Sequence, residues 1–116
     1  MSNKIKQYGT WPFLEFTFVD AAEQPINCEG FSVRLTIKNR NKQIIVSSIV
    51  DEAGSGAYWI DKTAGKGEYR WKGGDTDLQG KYQYEFKFTR LSDNRIFRIP
   101  SEGHFEYIVT DSLEGN

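Results

Sequence analysis

The sequence predicts an all-β fold: a sandwich of seven to eight short antiparallel strands forming one domain over residues 1–116, with an ordered part of about 11–110. Three observations carry that prediction. Aromatic residues make up 15% of the chain, and 11 Gly stand against only three Pro, a balance that suits pleated, half-buried strands. Apolar and polar residues alternate with period two in several short runs separated by Gly, Asn, Asp and Ser. No stretch of ten or more residues keeps a helical period, so helices are expected to be absent or a single turn.

In chain order, residues 1–10 are polar and read as a loose arm that orders only against a neighbour. Pro12 opens the first strand, in which Leu14, Phe16 and Phe18 share a face. Residues 20–30 form a loop in which Ile26 is placed to plug the end of the core. Phe31, Val33, Leu35 and Ile37 alternate with Ser32, Arg34, Thr36 and Lys38, the pattern of a strand buried on one side. After a polar turn at Asn39 to Lys42, the β-branched run from Gln43 to Asp51 alternates poorly. It reads as covered on both faces or bulged near Ser47 and Ser48. A brief strand follows at Ala57 to Asp61, and another at Glu68 to Trp71, with Trp71 as the aromatic anchor of the core. The most regular strand is Lys81 to Arg90, where Tyr82, Tyr84, Phe86 and Phe88 point one way. Ser92 to Asn94 turn the chain. Arg95 to Ile99 return, Pro100 interrupts, and Phe105, Tyr107 and Val109 close the core in phase.

The entry to the long strand is informative. Asp75-Thr76 shape a loop, Gly80 permits close approach, and Tyr82 follows two residues later, as in a tyrosine corner. There the hydroxyl bonds back to the preceding loop of an immunoglobulin-like sandwich. The single cysteine, Cys28, excludes an internal disulfide. It reads as a small semi-buried thiol. Fifteen basic against sixteen acidic residues give a formal charge of −1, so no net field recruits nucleic acid or an anionic membrane, and such binding would need a local patch. The start of the chain lacks the apolar run of a signal peptide, and no run is long enough to span a bilayer. The chain is therefore expected to be made in the cytoplasm and to stay there or leave by a route other than the secretory one, such as lysis.

Few residues here suit chemistry. The sole histidine, His104, has no obvious Ser and Asp companions for a triad, and one Cys with one His does not make a zinc site. Asp75 and Asp77 offer alternate oxygens for calcium, but the further acidic ligands of such a loop are missing, and turn-shaping bonds to backbone amides explain Asp75 and Thr76 better. Glu15, Glu68, Glu85 and Glu106 are out of phase with the buried aromatics and read as a solvated surface. Gly65-Lys66-Gly67 lacks the rest of a phosphate-binding loop and reads as a turn. No cofactor, metal or catalytic residue is expected. Trp11, Phe13 and Trp59 do not fit the core face and are the candidate interface residues.

These residues, taken together, also carry a family likeness. The runs Gly67 to Trp71, Asp75-Thr76 and Gly80 to Phe86, then Pro100 and Gly103, resemble the immunoglobulin-like N-terminal module of phage baseplate upper proteins and related phage or prophage tail proteins. Phe16, Phe18, Asp20, Pro25-Ile26 and Gly30 to Val33 fit the opening of that module, so the likeness spans most of Phe13 to Val109. The segment Ala57 to Lys66 is an addition to that pattern. The resemblance implies a non-enzymatic structural and assembly module of a virion. It implies partners among other tail or baseplate proteins and further copies of itself, with no nucleic acid and no membrane. The other reading is a carbohydrate-binding module that attaches to a host surface through stacked exposed rings such as Trp11 or Trp59.

Overall fold

The fold is known from a computed structural model, which describes residues 3–6, 13–72, 74–76, 78–100 and 103–110. Nine strands lie among them: β1 Asn3–Lys6, β2 Leu14–Thr17, β3 Phe31–Lys38, β4 Ile44–Ile49, β5 Ala57–Asp61, β6 Lys66–Tyr69, β7 Gly80–Arg90, β8 Ile96–Ile99 and β9 Phe105–Thr110. The seven to eight antiparallel strands read from the sequence fall on β2 through β9. The additional strand, β1, falls within the stretch read as a loose arm and pairs parallel with β9, Asn3 opposite Tyr107 and Lys6 opposite Thr110.

The strands form a sandwich of two sheets. One has the order β1-β9-β7-β3-β4, with β8 also paired to β7, and the other has the order β2-β6-β5. With β3, β7 and β9 in the C, F and G positions and β2, β6 and β5 in the B, E and D positions, the order follows the immunoglobulin layout. Strand β7 is the spine of the larger sheet. One of its edges pairs with β3 from Lys38–Gln83 to Phe31–Arg90. Its other edge is shared: β9 takes Gly80 to Tyr84, and β8 takes Phe86 to Thr89. Strands β8 and β9 thus share one edge of β7, divided after Ile99-Pro100, whose peptide bond is cis, with Glu85 between the two pairings.

The period-two alternation states which face is buried, and burial follows it. Val33, Leu35, Ile37, Tyr82, Phe86 and Phe88 are all 1% exposed or less. Across the sandwich, Phe18 meets Phe86 and Phe88 edge-on, each at 4.8 Å between ring centroids. Pairs of this geometry contribute about 0.5–1.5 kcal/mol beyond the area they bury. Trp71 lies in this core against Tyr69 at 5.3 Å and Tyr107 at 4.9 Å, and Ile26 packs on it from the loop. The irregularity of β4 is a register shift at Ile45, where Ile37 faces Val46 but Lys38 faces Ile44, and not at Ser47 and Ser48.

Gly65-Lys66-Gly67 is a cap and a strand start. Gly65, at φ +66°, ends the single helical turn Lys62–Ala64 and lies so close to the β2 side that a Cβ would be 2.8 Å from the Ile26 carbonyl. Gly67 pairs with Phe16, where a Cβ would stand 2.4 Å from the Phe16 ring. Here glycine serves for space, not for turning.

Candidate docking site

The loop before β7 is a polar corner built around two tyrosines. Tyr82, 1% exposed, points its hydroxyl back along the chain and donates to the Leu78 carbonyl at 2.7 Å, while accepting from the Leu78 amide at 3.3 Å. This is the bond expected of a tyrosine corner. Asp75, 8% exposed, accepts from the Tyr69 hydroxyl at 2.6 Å and from the Lys72 amide at 2.8 Å through the same oxygen. Burial, the bond to Asp75 and the carboxylate charge all push the Tyr69 hydroxyl well above its ordinary pKa. Thr76 is buried beside Asp75. Gly80, at φ +119°, begins β7 where a side chain would press on Arg40. Asp75, Thr76, Gly80 and Tyr82 therefore form the framework of one turn, and Asp77 lies outside the described residues.

Of the corner's buried tyrosines, Tyr82 makes a controlled pair with Tyr107, whose hydroxyl is buried with no hydrogen-bond partner among the described residues. Tyr82→Phe is expected to lower stability by about 1 to 2 kcal/mol, because the Leu78 groups lose their partner. Tyr107→Phe removes a buried group with nothing to lose and is expected to leave stability unchanged or raise it. Urea unfolding of the two variants beside the wild type checks both.

The candidate interface residues divide. Trp11 lies outside the described residues. Trp59 is not an exposed platform: its ring is partly buried and packs edge-on against Phe16 and Phe18, each at 6.1 Å. Trp59 shares the inward face of β5 with Ala57, and Tyr58 between them faces out. Phe13 and Tyr58 flank the Arg70 guanidinium, 5.4 Å and 4.6 Å from their ring centres, and Glu68 pairs with Arg70 at 2.7 Å. Tyr58 and Phe13 are thus covered by a cation and do not form an open pair of rings for a sugar.

Apolar surface opens elsewhere. Among the described residues β2 pairs only with β6, leaving its other edge without a partner strand. Between that edge and the break separating β8 from β9 runs a groove of about 400 Å³, lined chiefly by Phe16, Phe18, Val19, Tyr84, Ile99 and Phe105. Val19 is 47% exposed and Phe105 38% exposed. Phe105 was expected to lie in the core with Tyr107 and Val109. At the head of β9, next to the break, it is only half covered. Pro100 was the available signal, since a proline interrupting an edge strand leaves part of the neighbouring core uncovered.

Cys28 is fully buried, and burial pushes its thiol up to about 11 despite the nearby Lys62 charge. The thiolate is the reactive form, so native Cys28 is expected to resist alkylation at pH 8 and to react at the rate of a free thiol only after unfolding, as timed labelling with iodoacetamide checks. His104 is exposed in a small recess with Thr36, Gln83 and Glu85. Among the described residues no three His, Cys, Asp or Glu side chains group as a metal site. Against this geometry, the chain matches no protein-family model and no curated protein sequence.

Proposed function

We propose that this chain is a non-enzymatic docking module of a phage or prophage tail, of the baseplate type, that works by protein–protein contact. The observation that carries the reading is the apolar groove beside the open β2 edge. An extended segment of a neighbouring tail protein adds a strand to β2 through its backbone groups and inserts an apolar side chain against Phe105, Ile99 and Val19. The polar corner's buried carboxylate and hydroxyls are spent on holding the turn, which marks the corner as framework. The ring geometry lends the carbohydrate reading no comparable support.

The test is particle composition. Particles purified from a host carrying the gene are expected to contain the chain in fixed ratio to a tail protein, and Phe105→Arg is expected to release it while leaving it folded. Particles that lack the wild-type chain would overturn the proposal.

A further inference from the structure

Strand β8 is an open edge. It pairs with β7 from Ile96–Thr89 to Ile99–Phe86, and among the described residues it pairs with no other strand. The same side of the larger sheet is closed toward its other end, where β1 covers β9 from Tyr107 to Thr110. The Arg90 amide donates to the Arg95 carbonyl at 2.8 Å, and main-chain groups along an antiparallel strand face alternate sides. Those of Phe97 therefore face β7, and those of Ile96 and Arg98 face the open side. Ile96, Phe97 and Arg98 are consecutive and all exposed, Ile96 at 53% and Phe97 at 41%.

The two faces of this edge differ in chemistry. On the inward side the Phe97 ring stacks on Phe88 at 4.8 Å and meets Phe31 edge-on at 5.7 Å. Phe31 and Phe97 border a hollow of about 270 Å³ with Ile96, Arg90 and Arg95. On the outward side Arg98 ends a row of cations in register, Arg34 opposite Lys87 and Lys87 opposite Arg98. Like charges directly opposite one another on neighbouring strands destabilise a sheet. Relief within the molecule is slight. Arg98 approaches Glu85 at 3.8 Å, Arg34 donates to the Ser47 hydroxyl at 3.0 Å, and Lys87 has no ion pair among the described residues.

We infer that β8 takes an extended segment of a partner protein that alternates acidic and apolar residues, pairing with the main chain of Ile96 and Arg98 and lengthening the larger sheet by one strand. A carboxylate opposite Arg98 meets the end of the cationic row, and the apolar neighbours along the segment cover Phe97 and the hollow beside it. Charge complementarity picks out the occupant. Arginine on an edge strand turns away indiscriminate pairing, and a segment with a cation at that position would extend the unfavourable row. Open main-chain groups select an extended strand over a folded surface. The site does not depend on the groove: it extends the larger sheet, whereas the groove lies along β2 of the smaller one.

Two synthetic peptides with blocked ends test it, one alternating Glu with Val and the other Lys with Val. On titration into the isotope-labelled chain, the Glu peptide is expected to shift the Ile96 and Arg98 amides saturably and to slow their hydrogen exchange. The Lys peptide is expected to leave both unmoved. Arg98→Glu, at a side chain 55% exposed, is expected to stay folded by circular dichroism, to weaken the Glu peptide by about tenfold and to admit the Lys peptide. Failure of the Glu peptide to bind, equal binding of the two peptides, shifts confined to other residues, or an unchanged preference in the Arg98→Glu chain would overturn the inference. So would movement of the same two amides with chain concentration alone, which would give the edge to a second copy. None of these results bears on the groove, which Phe105→Arg tests.

Discussion

Phe86→Ala is expected to cost about 3 to 5 kcal/mol, the range for emptying a buried phenylalanine site. The residue is 1% exposed at the centre of β7, between β3 and the broken edge strand. Its ring touches Phe16 and Phe18 of the opposite sheet, both at 4.8 Å between centroids. The cavity would lie between the sheets, where two paired ladders prevent collapse. A domain of this size has about 5 to 15 kcal/mol in total, so the variant is expected to unfold at a much lower temperature or to be recovered partly unfolded. Phe105→Ala, at the exposed rim of the same cluster, is the control and is expected to cost far less. Thermal and urea melts of the pair check this, and equal losses at both positions would contradict the description of the core.

Asp75→Ala is expected to cost about 3 kcal/mol, since it strips the acceptor from two donors at once, the buried Tyr69 hydroxyl and the Lys72 amide. Hydrogen bonds to a charged group contribute about 1.5–3 kcal/mol each, and the orphaned donors carry their own desolvation cost. Asp75→Asn keeps an oxygen in place and is expected to recover part of the loss. In a double-mutant cycle with Tyr69→Phe, the combined loss should fall short of the sum by about 1 kcal/mol or more, because both changes delete one bond. Additive losses would mean that the Tyr69–Asp75 bond contributes nothing.

Much of the fold could be read from residue order because the sandwich buries one face of most strands, and period two states which face. Strands β3 and β7 illustrate this, each alternating without a break. The corner was legible for a similar reason: Gly80 two residues before Tyr82 encodes a local geometry in a local pattern. Strand β1 was not legible, since it is short, polar and held by a partner more than a hundred residues away in sequence. Trp59 was not assigned to the core because β5 is only five residues long, too short a span for a period to show which side faces in. The groove is a product of tertiary placement, where an open edge of one sheet meets the break in an edge of the other.

The corner holds its charges in a turn, whereas the groove leaves half-covered rings beside an edge of β2 that no described strand pairs.

The most direct measurement of docking is photo-crosslinking from position 105. With a benzoylphenylalanine residue at Phe105, irradiation in a host carrying the gene and mass spectrometry of the adducts would identify what touches the groove. The docking account predicts an adduct to one extended segment of a tail protein, lost when Val19 is changed to Arg. Recovery of the chain without any protein adduct, or with adducts that Val19→Arg does not alter, would contradict it.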